Sequence, residues 1–124
     1  MKIVIVEDEE ILLKVLKEKF EKANFDVWSA INGDEAFAVI KKTLPDMVVL
    51  DLILPGKSGF EVLQELKLDA ETKLIPVIVL SNLGQDEDIK KALQMGAEDY
   101  IVKTQHPINE VIEKVKARIL SKSR

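Results

Sequence analysis

The stretch VVLDLILPGKSG, Val48 to Gly59, decides how the chain is read. An apolar run from Met47 to Leu50 stops on a single carboxylate, Asp51. Leu52, Ile53 and Leu54 follow, then Pro55-Gly56, then a helix start. An ionised aspartate behind four strand-forming apolar residues is costly unless it sits at the exposed carboxyl end of the strand. In open parallel α/β sheets that end is where ligands bind.

Working outward, the same pattern repeats. Ile3–Val6 is a β-branched run, as in a strand buried on both faces, and it ends on Glu7, Asp8, Glu9 and Glu10. Leu12, Leu16, Phe20 and Ala23 then recur at helical spacing up to Asn24. A short second strand is expected at Val27–Ala30. A second helix opens at Asn32-Gly33-Asp34, turns Ala36, Val39 and Ile40 inward, and stops at Pro45. After the third strand, Met47–Leu50, Ser58-Gly59-Phe60-Glu61 reads as a capping box. It opens a helix with Val62, Leu63 and Leu66 inward. Asp69–Lys73 is polar loop, and Val77–Leu80 is a fourth apolar strand ending on Ser81. Asp86–Met95 is a fourth helix closed by Gly96. A fifth strand, Asp99–Val102, ends on Lys103, and Pro107 starts a last helix with Val111, Val115 and Ile119 inward.

Five strands alternating with five helices over short connections predict a parallel sheet covered on both faces. Alternation alone leaves the strand order open. There is no internal repeat, low-complexity segment or linker. At 124 residues, 47% hydrophobic and 32% charged, the chain has the length and composition of one globular domain, 1–124. The first strand begins almost at Met1, which reads as a natural gene start. The net charge of −4 argues against generic attraction to nucleic acid or to an anionic membrane. The amino-terminal apolar run is too short for a signal peptide or a membrane span. The lack of cysteine removes any disulfide frame or thiolate site and suits a reducing, cytoplasmic setting.

Four strand ends thus carry polar residues with a chemical use: Glu7-Asp8, Asp51, Ser81 and Lys103. In a parallel sheet they share one edge. Three converging carboxylates repel unless a cation intervenes, and an oxygen-only donor set with few protein ligands suits Mg²⁺. One lysine and one divalent ion would neutralise the three acids. Such a site tolerates the added charge when Asp51 attacks phosphorus.

On these residues, together with Leu54-Pro55-Gly56 and Tyr100 in DYIVK, the chain from Lys2 to about Leu120 resembles a response-regulator receiver domain of two-component signalling. The resemblance implies a flavodoxin-like five-stranded parallel sheet of order 2-1-3-4-5, the order the flavodoxin-like fold shows. It implies that Asp51 accepts a phosphoryl group from the phosphohistidine of a histidine kinase or phosphotransfer protein. Asp8, Asp51 and the Ile53 backbone carbonyl would bind Mg²⁺, with Glu7 acting mainly through water. Lys103 would pair with the phosphoryl group. Ser81 would swing toward it, with Tyr100 turning inward into the space vacated. The output face would be the fourth helix, fifth strand and fifth helix, read by a downstream protein or by an output domain of the same protein. A homodimer formed on activation would use Lys90, Lys91, Asp99 and Arg118 on that face. No external substrate is turned over. The chain stops shortly after the fifth helix, which fits a single-domain regulator or a receiver cut from a longer protein.

Two departures from the family pattern stand out. Thr104 occupies the place where proline usually follows the lysine, so the Lys103–Thr104 bond is expected to be trans with its loop rerouted, since a cis bond before a non-proline residue costs about 2.5–4 kcal/mol. The positions two beyond Asp51 and Ser81 are apolar, Ile53 and Leu83. Simpler readings are assigned elsewhere. Glu9 and Glu10 complement the first helix's dipole, His106 is a cap before Pro107, and Phe25 and Trp28 pack at the core or sheet edge. Lys114, Lys116, Arg118, Lys122 and Arg124 form a solvated helix face. The rival functions are an aspartate-nucleophile phosphatase, which needs a second acid/base where Ile53 stands, and a phosphorylation-independent adaptor, which should lack one of the site residues.

Overall fold

The computed structural model describes residues 1–122. Its strands are β1 (Lys2–Val6), β2 (Asp26–Ala30), β3 (Met47–Leu50), β4 (Val77–Ser81) and β5 (Asp99–Val102). Its helices are α1 (Glu10–Lys22), α2 (Gly33–Thr43), α3 (Gly59–Leu68), α4 (Asp86–Gln94) and α5 (Ile108–Lys122), with one 3₁₀ turn at Lys103–Gln105. All strand pairs are parallel, in the order β2-β1-β3-β4-β5. The expected strand order is observed.

The apolar strand runs are buried on both faces, as their composition requires. On one face Ile3, Ile5, Val49, Ile78 and Ile101 pack with Leu16 and Phe20 of α1 and Val111, Val115 and Ile119 of α5. On the other, Val4, Val6, Val48, Leu50 and Val79 meet Ala36 and Ile40 of α2, Val62, Leu63 and Leu66 of α3, and Ala92 of α4. Phe25 meets Phe20 edge-to-face at 5.7 Å, whereas Trp28 is 44% exposed on the edge strand β2.

Small differences from the sequence reading have local causes. The β2 strand gains Asp26 because it pairs with Lys2, and β4 gains Ser81 because it pairs with Val102. Pro107 stands just before α5, where its carbonyl accepts from the Glu110 and Val111 N–H groups. At α3 the Ser58 hydroxyl accepts from Glu61 N–H at 3.2 Å, but the Glu61 carboxylate faces that hydroxyl rather than the backbone. The reciprocal cap is built at α2 instead. Asn32 Oδ1 accepts from Glu35 N–H at 2.9 Å and Glu35 Oε1 accepts from Ile31 N–H at 3.0 Å. Arg124 and the Lys122 side chain, assigned to the solvated α5 face, lie outside the described residues.

The segment after β3 is fastened from both sides. Gly33 N–H donates to Pro55 carbonyl at 3.0 Å, and Gly56 turns at φ +73° against Asp34. Gly59 N–H donates to Leu52 carbonyl at 2.9 Å, so close that a Cβ there would meet the Asp51 carbonyl oxygen at 2.2 Å. Gly59→Ala is therefore expected to cost about 1–3 kcal/mol through overpacking, read by urea unfolding. Gly84→Ala, whose Cβ would meet nothing nearer than 3.3 Å, should change stability much less.

Candidate functional site

Sheet register places the site. Glu7 N–H donates to Ala30 carbonyl and Asp51 N–H to Val6 carbonyl, each at 3.0 Å, so the ladder runs one residue past β1 and β3. Glu7 and Asp51 therefore stand side by side. By the two-residue pleat, Glu7, Asp51 and Lys103 follow Ile5, Val49 and Ile101 on the α1/α5 side. Ser81 follows Val79 toward the opposite side, where the Tyr100 ring packs.

Lys103 holds the acids together. Its Nζ lies 2.8 Å from Glu7 Oε1, 2.8 Å from Asp51 Oδ2 and 3.5 Å from Glu9 Oε2. The lysine side chain is only 9% exposed, while those of Glu7 and Asp51 are 2% and 5% exposed. The second Glu7 oxygen accepts from Glu9 N–H at 3.1 Å, and Asp51 Oδ1 accepts from Ile53 N–H at 3.1 Å. Burial pushes the Glu7 carboxyl up to about 7; hydrogen bonds from Lys103 and Glu9 oppose this, and the Asp51 charge adds to it. Desolvation works against the Lys103 ammonium, but its hydrogen bonds to Asp51 and Glu7 outweigh that and hold it above its ordinary value.

Asp8, which is exposed, completes the cluster. Glu7, Asp8 and Asp51 each offer an oxygen within 4.8 Å of the others. With no imidazole or thiolate in it, this donor set fits a hard divalent cation such as Mg²⁺.

Ser81 is fully buried, and its hydroxyl accepts from Leu83 N–H at 3.3 Å. The Tyr100 hydroxyl donates to the Leu83 carbonyl at 2.5 Å. Burial pushes the Tyr100 phenol above its ordinary value, with the Asp88 charge adding to the shift. The half-buried Tyr100 ring packs beside the core while Ser81 keeps its bond to Leu83. Both side chains fit at once because a single residue, Leu83, holds one by its N–H and the other by its carbonyl.

The sequence reading missed two participants. Glu9 was assigned to the helix dipole alone, yet its backbone holds Glu7 and its carboxylate approaches Lys103. Its place in the run EDEE was the available signal. The Leu83 main chain carries no sequence signal, since any residue supplies an N–H and a carbonyl. The Lys103–Thr104 bond is trans, as no described peptide bond is cis, and the chain makes a 3₁₀ turn there. On the output face Arg118 reaches Asp99 within the chain at 3.4 Å, and Lys91 Nζ lies 4.2 Å from the centroid of the Phe60 ring. Both Asp99 and Arg118, expected to pair across a dimer, thus have a partner at home.

Fold and site together define a class: a parallel α/β domain with clustered acids, a lysine and a hydroxyl at the carboxyl edge of its sheet. Comparison with known proteins sharpens this. The family model of the response regulator receiver domain matches residues 3–116. The phosphate regulon transcriptional regulatory protein PhoB of Rhizobium meliloti is 38% identical over 118 residues, which cover 95% of this chain and 52% of that protein. The BeF3-activated N-terminal receiver domain of Klebsiella pneumoniae RstA superposes with a TM-score of 0.84 at 32% identity, covering 96% of this chain and 98% of that one. The phosphorylated cyanobacterial phytochrome response regulator RcpA does so with a TM-score of 0.86 at 30% identity, covering 98% and 94%. The chain belongs to the response regulator receiver domain family, the phosphorylation-dependent signalling modules of two-component systems. It spans about half the length of the curated relatives it matches.

The buried bridge makes a direct prediction. Lys103→Met leaves two buried carboxylates without their cation and should cost about 3 kcal/mol in metal-free buffer, measured by urea unfolding. In a Glu7→Gln background the same change should cost clearly less, because one of the two stranded charges is already gone.

Proposed function

We propose that Asp51 accepts a phosphoryl group from the phosphohistidine of a histidine kinase or phosphotransfer protein, and that the modified site sets the surface formed by α4, β5 and α5. The observation that carries this reading is the buried strand-end aspartate paired at 2.8 Å with a buried lysine beside two further acids. Asp51 is oriented at both oxygens, by Ile53 N–H and by Lys103. In the transfer an Asp51 oxygen bonds to phosphorus as the phosphorus–nitrogen bond breaks. The nitrogen keeps that bond's electron pair, and a ring protonated on its other nitrogen leaves as neutral imidazole.

Asp8, Asp51 and the Ile53 carbonyl would hold Mg²⁺, with Glu7 acting mainly through water; the ion would neutralise charge on the phosphoryl oxygens. Lys103 shifts from the Asp51 carboxylate to a phosphoryl oxygen, its flexible stem allowing the move. Ser81 gives up Leu83 N–H to hydrogen-bond another phosphoryl oxygen, and that exchange frees the backbone of the residue on whose carbonyl Tyr100 rests. The module, residues 1–124, works in the cytoplasm and promotes its own phosphorylation and dephosphorylation without turning over an external substrate. Its output face serves a downstream protein, an output domain of the same protein, or a second phosphorylated copy. The phosphatase reading finds no support two residues past Asp51, where an apolar and 53% exposed Ile53 stands. None of the described helices is long and apolar enough to cross a membrane.

Incubation with acetyl phosphate and Mg²⁺ should produce one acid-stable, hydroxylamine-labile adduct of roughly 80 Da. It should be absent from Asp51→Asn and prevented by chelation. An adduct that persists in Asp51→Asn sinks the assignment. Isothermal titration should show weaker Mg²⁺ binding for Asp8→Asn; equal affinity would remove Asp8 from the metal site.

A further inference from the structure

We infer that His106 and Glu110 form a clamp that positions Lys103. This rests on the reading of Asp51 as phosphoacceptor and adds a residue pair that acts on the site through the lysine.

The need for a clamp follows from where Lys103 sits. The last ladder pair between β4 and β5 is Ser81 with Val102, and β5 is an edge strand. Beyond that pair the chain makes one 3₁₀ turn, Lys103–Gln105, whose Thr104 and Gln105 are exposed. On its α1 side the turn is undercut by a cavity of about 330 Å³ bordered by Glu9, Leu12, Lys103, Thr104, His106 and Ile108. Packing therefore does not hold the turn from that direction. Yet the lysine must keep its amine within 2.8 Å of two carboxylates at once.

The structure supplies one tether at the turn's far end. His106 is extended, with φ −137° and ψ 132°, as a residue before proline prefers. Its Nδ1 lies 2.7 Å from Glu110 Oε1. A carboxylate only accepts, so the ring carries its proton on Nδ1 and donates it. Glu110 sits in the first turn of α5, next to the buried Val111, itself four residues before the buried Val115. The core thus anchors α5, α5 anchors Glu110, and Glu110 anchors the turn that carries Lys103.

The plainer reading of His106, as a helix cap, does not match the contacts. The Pro107 carbonyl already accepts from Glu110 N–H at 3.0 Å, and the imidazole binds a side chain rather than an orphan backbone group. The charged groups facing the ring are Glu110 of α5, and Glu9 and Lys103 across the cavity. Glu9 is itself 3.5 Å from Lys103, so an unclamped turn has a competing carboxylate toward which the lysine can drift.

The test uses the full chain and the variants His106→Phe, Glu110→Ala and His106→Asn. Three readouts are taken: the Lys103 ammonium resonance in the unphosphorylated protein, the maximal rate of Asp51 phosphorylation by acetyl phosphate at saturating Mg²⁺, and Mg²⁺ affinity. His106→Phe and Glu110→Ala should shift or broaden the Lys103 signal and slow phosphorylation by about three- to tenfold, the loss of one such hydrogen bond. Mg²⁺ affinity should not fall, since the variants leave Glu7, Asp8 and Asp51 in place and only loosen the competing ammonium. His106→Asn, whose amide takes the place of Nδ1–H, should restore both signal and rate. An unmoved Lys103 signal, an equally impaired His106→Asn, or a parallel loss of Mg²⁺ affinity overturns the clamp. Should His106→Phe fail to fold, Glu110→Ala and His106→Asn carry the same decision. A wild-type protein that takes up no phosphoryl group at Asp51 defeats the functional reading, while the Lys103 resonance still decides the clamp.

Discussion

The rest of the site depends on one ammonium group shared by two buried carboxylates. Burying an ion costs several kcal/mol unless partners replace the water it loses. Here Lys103 meets Glu7 and Asp51 at equal distances, and backbone N–H groups take the remaining oxygens. Three strand ends are thereby tied by one ammonium making two contacts: β1 through Glu7, β3 through Asp51 and β5 through Lys103. The arrangement holds the Asp51 side chain oriented in a nearly dry setting. It also leaves Glu7 close to neutralisation, with its carboxyl raised to about 7 by burial. A cation entering among Glu7, Asp8 and Asp51 would therefore meet acids already gathered against their own repulsion.

The pleat divides the labour. Glu7, Asp51 and Lys103 share one parity of the strands and Ser81 the other, so the acid–lysine cluster and the proposed Ser81–Tyr100 switch lie on opposite sides of one sheet edge. Leu83 touches both Ser81 and Tyr100, its N–H serving the first and its carbonyl, in the next peptide unit, the second. Ser81 and Tyr100 thus rest on neighbouring backbone groups of one residue, and Tyr100 belongs to β5 on the proposed output face. On that face Asp99 and Arg118 already pair across β5 and α5, so a partner that recruits either must first separate them. An exposed pair of that kind is worth about 0–1 kcal/mol, which makes the exchange cheap.

Much of this was legible in the residues alone. The apolar runs Ile3–Val6, Met47–Leu50 and Val77–Leu80 have no polar alternation, which only a sheet covered on both faces accommodates. The acids and serine that end those runs, with Lys103 at the end of the fifth, marked the edge where the site lies. Pro45, Gly96 and the helical spacing of Leu12, Leu16 and Phe20 placed the helices, since each acts through local sterics or a single helix face. Asn32 was read as a helix start, but the return bond from Glu35 to Ile31 was not foreseen. Several alternative carboxylate reaches fit the same local sequence.

What tertiary structure decided is what depends on residues distant in sequence. Lys103 and Asp51 are 52 positions apart. Which of the acids Lys103 would touch was set by register, through Asp51 N–H on Val6 and Glu7 N–H on Ala30. Glu9 looked like helix-dipole charge because its part in the site appears only once β5 brings the lysine to it. Leu83 was invisible as a linker because it acts through backbone groups that every residue has. His106 read as a cap because its link to Glu110 matters only beside an undercut turn, and the cavity exists only after α1, β5 and α5 are assembled. The sequence by itself determined the elements, the strand-end residues and hence the family. Packing and register decided which of those side chains meet, because contact distance across strands is not a local property of the chain.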